Sequence, residues 1–171
     1  MNERSGAITF KGDPLTLMGD MPSVGDQAPD AVLVDNDLSD LSISSYKGKT
    51  LALVTVPSLD TSVCDTEARR FNEEAAKLGG DVAVLVASMD LPFAQKRWCG
   101  AADAGHVTTA SDHRDAALGT AYGILIKELR LLARAVFVID KTGKVSYVQL
   151  VEEMTNEPDY DAALAAIRAA G

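Results

Sequence analysis

The chain has 171 residues, 47% hydrophobic and 24% charged, with a formal net charge of −9 at pH 7. That composition is ordinary for a globular chain, and the length suits one domain, residues 1–171, with a real core. The acidic balance excludes a basic nucleic-acid face and attraction to anionic membranes. No apolar run approaches the length of a membrane span. Met1 to Gly6 opens no apolar stretch of signal-peptide type, so a cytoplasmic location is expected.

In chain order, Ala7–Lys11 and Leu15–Met18 around Gly12-Asp13-Pro14 predict a small hairpin. Gly19–Asp30 reads as a loop. Val32–Val34 and Leu41–Ile43 are short strand candidates, followed by a turn at Tyr46-Lys47-Gly48-Lys49. Leu51–Val56 is continuously apolar, as strands buried on both faces are. Ala68, Phe71, Ala75 and Leu78 then fall at helical spacing, and the helix is expected to end near Gly79-Gly80. Val82–Val86 predicts a second buried strand. Pro92 opens a short helix at a favourable position, expected to stop near Gly100. Val107–Thr109 is a weak strand and Asp115–Tyr122 a short helix. Ala135–Asp140 and Val145–Leu150 around Lys141-Thr142-Gly143-Lys144 form a hairpin, and Tyr160, Leu164 and Ile167 stripe a last helix. Strands alternating with helices, then a hairpin and helix, predict an α/β fold: a mixed sheet flanked by helices on both faces.

Two cysteines stand out by placement. Cys64 falls in the first turn of the helix that follows Leu51–Val56. Helix starts carry unpaired N–H groups and a partial positive charge, which favour a thiolate, the nucleophilic form. The plainer reading is a small core residue, as most free cysteines are. Cys99 follows Trp98, the sole tryptophan, in the next helix. The pair matches neither a C-x-x-C motif nor a zinc pattern, and His106 and His113 add no metal-ligand spacing. No dinucleotide, phosphate-loop or nucleophile-elbow motif occurs. Asp65, Glu67, Glu73 and Glu74 read as the solvated face of the first helix. Leu125, Ile126, Leu129, Leu131 and Leu132 read as core, pocket wall or subunit contact, with Lys127, Glu128 and Arg130 set among them.

Pro57-x-x-x-Thr61-x-x-Cys64 resembles the P-x-x-x-T-x-x-C signature of peroxiredoxins. Ser58–Cys64, Asp90–Gln95, Trp98–Ala101, Ala133–Asp140 and Glu157–Tyr160 look like the thiol peroxidase subfamily, in its order along nearly the whole chain. The resemblance implies a thioredoxin-like fold with an added N-terminal β-hairpin. It implies that Cys64 attacks a hydroperoxide, and that Thr61 accepts from the peroxide and donates to the sulfur. Pro57 would shield the site, and Arg134 would favour the thiolate and hold the peroxide oxygens. Taken alone, Thr61 is equally an N-cap, Pro57 a strand end and Arg134 a member of a surface ion pair.

The same resemblance makes Cys99 the resolving cysteine of an intramolecular disulfide with Cys64, reduced in turn by thioredoxin. On its own, Cys99 could be an inert core thiol. Two cysteines on separate helices start beyond bonding distance, so local unwinding is expected during turnover. The resemblance also implies a homodimer, substrates among alkyl hydroperoxides and hydrogen peroxide, and no cofactor or metal. A redox regulator that passes the disulfide to a partner protein is a rival reading. A non-catalytic scaffold on the same fold is another, though it has no need of Pro57, Thr61, Cys64 and Arg134 together.

Overall fold

The structure, a computed structural model, describes residues 1–171. Its strands are β1 (Glu3–Phe10), β2 (Asp13–Met18), β3 (Val32–Asp35), β4 (Asp40–Ser42), β5 (Thr50–Thr55), β6 (Val82–Ser88), β7 (Thr108–Ser111), β8 (Leu125–Ile126), β9 (Leu131–Leu132), β10 (Ala135–Ile139) and β11 (Val145–Leu150). Its helices are α1 (Ser62–Ala75), α2 (Pro92–Ala102), α3 (Ala117–Ala121) and α4 (Tyr160–Ala170), with a 3-10 turn at Ile43–Tyr46.

Seven strands form the main sheet in the order β11-β10-β5-β6-β7-β3-β4. The β5, β6 and β7 strands run parallel, and the rest join antiparallel. This is the expected mixed sheet, in a thioredoxin-like arrangement. Every residue of β5 is buried, and the strand's period of two deals its side chains to two cores. Leu51 and Leu53 join one core, and Ala52 and Val54 the other. Phe137 of β10 follows the first pair, Val136 and Val138 the second. On the second face α1, α2 and α4 cover the sheet through Ala68, Phe71, Trp98, Leu164 and Ile167. On the first face the short α3 shares the cover with a second sheet, β1-β2-β8-β9.

That second sheet enlarges the expected hairpin. Leu17 and Met18 of β2 pair with Ile126 and Leu125, which pair in turn with Leu131 and Leu132. The apolar cluster before Arg134 is therefore a hairpin that closes the first core, with Ile126 and Leu132 fully buried. Its two-residue strands are too short to show a period in sequence.

Several expected boundaries move, these three among them. The α1 helix ends at Ala75 rather than near Gly79-Gly80. Backbone bonds from Lys77 to Glu74 and from Leu78 to Ala75 tighten the chain into turns first. The α2 helix runs on to Ala102, because Asp103 takes the left-handed C-cap conformation (φ 51°) in place of Gly100. Ile43 leaves β4 to open the 3-10 turn.

Gly123 leads into β8 at φ +67°, against the loop at Asp20-Met21. A Cβ there would sit 2.5 Å from the Asp20 carbonyl carbon and 2.6 Å from the Met21 nitrogen. Both neighbours are backbone and cannot step aside. Gly123→Ala is therefore expected to cost about 2–3 kcal/mol, read as a lower urea midpoint with unchanged slope.

Candidate active site

Topology brings the site together at one end of the main sheet. The β5 and β6 strands are parallel, so their C-terminal ends lead side by side into α1 and α2. The β10 strand is antiparallel to β5, with Ala135 opposite Thr55. The residue before β10, Arg134, thus arrives where the chain leaves β5 for Cys64. Open α/β sheets place their sites outside such strand ends. The buried Thr55 hydroxyl donates to the carbonyl of Ala133 at 2.8 Å and lies 3.5 Å from that of Ala135. The Val151 N–H donates to the Arg134 carbonyl at 3.0 Å. The backbone around Arg134 is therefore held from β5 and from the end of β11.

Cys64 lies in the first turn of α1 and is fully buried. Thr61 occupies the N-cap position, and its carbonyl accepts the first helical bond, from Asp65 N–H at 2.9 Å. Its side chain does not cap. The hydroxyl donates back to the Ser58 carbonyl at 2.9 Å, across the Ser58–Thr61 turn. The expected N-cap is therefore met by the Thr61 backbone alone: no helix N–H donates to its hydroxyl oxygen, and the hydroxyl proton is directed to Ser58. Pro57 is buried at the end of β5.

Arg134 is 2% exposed and donates to three groups. Its Nη1 lies 3.4 Å from Cys64 Sγ and 2.5 Å from Glu67 Oε2, while Nη2 and Nε reach the Met154 carbonyl at 2.8 and 3.3 Å. The surface ion pair considered for Arg134 gives way to a buried one. Glu67, expected on the solvated face, is fully buried, and its Oε1 has no hydrogen-bond partner. The spacing held the signal: Cys64, Glu67, Ala68 and Phe71 form one i, i+3, i+4, i+7 stripe. Burial pushes the Glu67 carboxyl up to about 7; Arg134 opposes this and the Glu157 charge adds to it. Desolvation acts against the Arg134 charge, but Glu67 and Cys64 together hold the guanidinium ionised, above its ordinary value.

Cys99 is half-buried in the last turn of α2, and both thiols are free. Its Sγ lies 3.3 Å from Thr109 Oγ1, which donates to Asn36 Oδ1 at 2.9 Å. The expectation of cysteines on separate helices holds. The start of α2 is tied to the Cys64 loop through Asp90. Its carboxylate accepts from Ser58 Oγ at 2.7 Å, Leu59 N–H at 2.8 Å and Ser88 Oγ at 2.7 Å. Gln95 Nε2 anchors the middle of α2 to Ser88 Oγ at 3.0 Å and to the Ala110 carbonyl at 2.8 Å. Sequence reasoning did not single out Asp90 or Gln95 for this task.

A cavity of about 330 Å³ opens between the first turn of α1 (Ser62, Val63, Thr66) and Thr155, Asn156 and Glu157. Another, of about 290 Å³, borders Cys99, Asn36 and Thr109. A third, of about 230 Å³, lies at the far end of β5 and β10 against Leu51 and Ile139, away from both cysteines. No helix is long and apolar enough to cross a membrane.

The redoxin family profile matches residues 23–164. Over 162 residues the chain is 56% identical to a thiol peroxidase of Bacillus subtilis, covering 95% of this chain and 96% of that protein. Over 164 residues it is 55% identical to one of Halalkalibacterium halodurans, covering 96% and 98%. The chain belongs to the thiol peroxidases of the redoxin family. The crystal structure of a peroxiredoxin-like protein from Aquifex aeolicus, 47% identical, superposes with a TM-score of 0.91 over 98% of both chains. The peroxiredoxin resemblance drawn from Pro57 to Cys64 is thereby shown, and so is the thioredoxin-like fold.

The shared guanidinium makes Glu67 and Arg134 testable. The folded protein keeps a proton on Glu67 that the unfolded chain releases at the ordinary 4.5. Its contribution to stability is full below that value and is lost as pH rises through about 7, and Glu67→Gln should flatten this part of the stability–pH curve. Removing a neighbouring negative charge should also raise Cys64 alkylation at neutral pH, by up to about tenfold. Arg134→Ala should slow alkylation and lower stability by about 3–5 kcal/mol, because it orphans a buried carboxyl. Adding Glu67→Gln to Arg134→Ala should restore much of that stability. Unchanged alkylation in both single variants would separate the pair from Cys64.

Proposed function

We propose that this thiol peroxidase reduces alkyl hydroperoxides and hydrogen peroxide with Cys64 as the nucleophile and Cys99 as the resolving thiol. One observation carries the reading: a buried guanidinium 3.4 Å from a sulfur in the first turn of a helix. That setting favours the thiolate, and the thiolate attacks one peroxide oxygen. The O–O bond breaks, the distal oxygen leaves as an alcohol or water, and Cys64 becomes a sulfenic acid. The guanidinium directs N–H groups at Cys64, Glu67 and Met154, which leaves one on Nη2, beside the Nη1 that faces the sulfur, for the charge developing on the oxygens. Thr61 gives its proton to Ser58, so its oxygen lone pairs remain open to accept from the hydroperoxide. Pro57, buried and without an N–H, keeps the base of the site dry. The cavity between Ser62 and Asn156 adjoins the residues that flank Cys64 in the first turn of α1 and is the side from which we expect substrate to approach.

Cys99 then attacks the sulfenic sulfur. The Cys64–Cys99 disulfide forms, water leaves, and a thioredoxin-type dithiol returns both thiols by exchange. A homodimer acting in the bacterial cytoplasm completes the reading, in keeping with the kinship.

The test is peroxide consumption coupled to thioredoxin and its reductase, run with hydrogen peroxide and an alkyl hydroperoxide side by side. Cys64→Ser should abolish turnover. Cys99→Ser should complete about one turnover and leave a sulfenic acid that dimedone traps. Near-normal turnover in Cys64→Ser would overturn the assignment.

A further inference from the structure

The residue after Cys64 and the residue before Cys99 touch each other. Trp98 Nε1 donates to Asp65 Oδ1 at 2.7 Å. Arg69, one turn further along α1, reaches the same carboxylate at 2.9 and 3.0 Å and sits 6.0 Å from the indole centroid. Between Lys96 and Ala102, Trp98 is the only buried side chain. The α2 helix upstream is fixed independently, through Asp90 and Gln95. Downstream, Ala104 N–H bonds the Cys99 carbonyl at 3.0 Å, and Asp103 N–H bonds that of Gly100 at 3.4 Å, so Cys99 belongs to the closing turn of the helix. Helix ends are where unwinding costs least.

We propose that the Trp98–Asp65 hydrogen bond is the latch that keeps the Cys99 turn of α2 folded while Cys64 meets its substrate, and that breaking it sets the rate of disulfide formation. The inference rests on the proposed functions of Cys64 and Cys99. With the latch closed, the Cys64 sulfenic acid persists and can meet a second hydroperoxide. The second peroxide then oxidises the sulfenic acid to a sulfinic acid and is itself reduced to an alcohol. With the latch open, Cys99 adds to the sulfenic sulfur, water leaves, and that exit closes. Asp65 and Trp98 are positioning residues here: neither touches the reacting atoms. They partition one intermediate between two fates.

The experiment is a single turnover of the full chain with one equivalent of alkyl hydroperoxide. It is quenched at intervals and read by intact mass as thiol, sulfenic acid, disulfide and sulfinic acid. Trp98→Phe keeps a ring in the pocket and removes only the donor. It should leave the first oxidation within about twofold of the parent and speed disulfide formation about tenfold, the scale of one hydrogen bond to a charged acceptor. The dose of hydroperoxide that half-converts Cys64 to sulfinic acid should rise in step. Asp65→Asn keeps the indole and weakens the acceptor, and should speed the same step less. The double variant should match Trp98→Phe, since both changes cut one bond. Disulfide formation in Trp98→Phe within twofold of the parent, or full additivity in the double variant, would overturn the latch. Should the parent protein never form the disulfide, the proposed role of Cys99 fails and the latch with it, a result distinct from an unaltered rate.

Discussion

One guanidinium holds the site together. Arg134 is surrounded by protein and faces a thiol, a carboxyl and a backbone carbonyl at once. A buried arginine without partners would be prohibitive; with three it becomes an anchor for the first turn of α1 and for the chain at Met154. Its charge is divided. Whatever Glu67 takes by ionising is withheld from Cys64, and burial tilts Glu67 toward its neutral form. The neutral carboxyl leaves more of the guanidinium's charge facing the sulfur 3.4 Å away.

The rest of the architecture makes that meeting possible. Pairing of β10 with β5 carries Arg134 to the place where α1 begins, and the Thr55 hydroxyl secures the carbonyls beside it. The small sheet fixes the approach to Arg134, because β9 ends only two residues before it. Glycines at Gly19 and Gly123, both at positive φ and both pressed against backbone, let β2 and β8 come together there. A distant hairpin therefore bears on the placement of the guanidinium beside Cys64.

Much of this was legible in the residues. The run Leu51–Val56 announced a strand with two buried faces, and Cys64 one loop later fell in the first turn of a helix, as its spacing predicts. The hairpin around Gly143 was plain from its two strand-like runs and the Lys141-Thr142-Gly143-Lys144 turn between them. What stayed hidden depended on tertiary pairing. The β8 and β9 strands are two residues each, and only β2 gives them an identity as strands. The end of α1 was misjudged because Gly79-Gly80 is a strong stop signal, yet the helix had already tightened into turns. Glu67 was assigned to solvent on residue type alone, although its spacing from Cys64 and Phe71 placed it inward. A carboxyl is bearable there only because Arg134, far along the chain, meets it, and a local reading cannot supply that partner.

The anchoring of α2 carries a kinetic consequence. Asp90 and Gln95 fix the chain before Lys96, and the pairing of Thr108 with Leu85 fixes it again in β7. If the Cys99 turn opens as proposed, the chain that moves lies on the short tether between these posts. A thiol on such a tether searches a small volume, so its effective concentration at Cys64 is about millimolar or higher. In the proposed cycle, a small external thiol below that level would lose the competition for the Cys64 sulfenic acid. The two fixed posts thus favour closure within the chain over adduct formation, without any contact to the thiol they exclude.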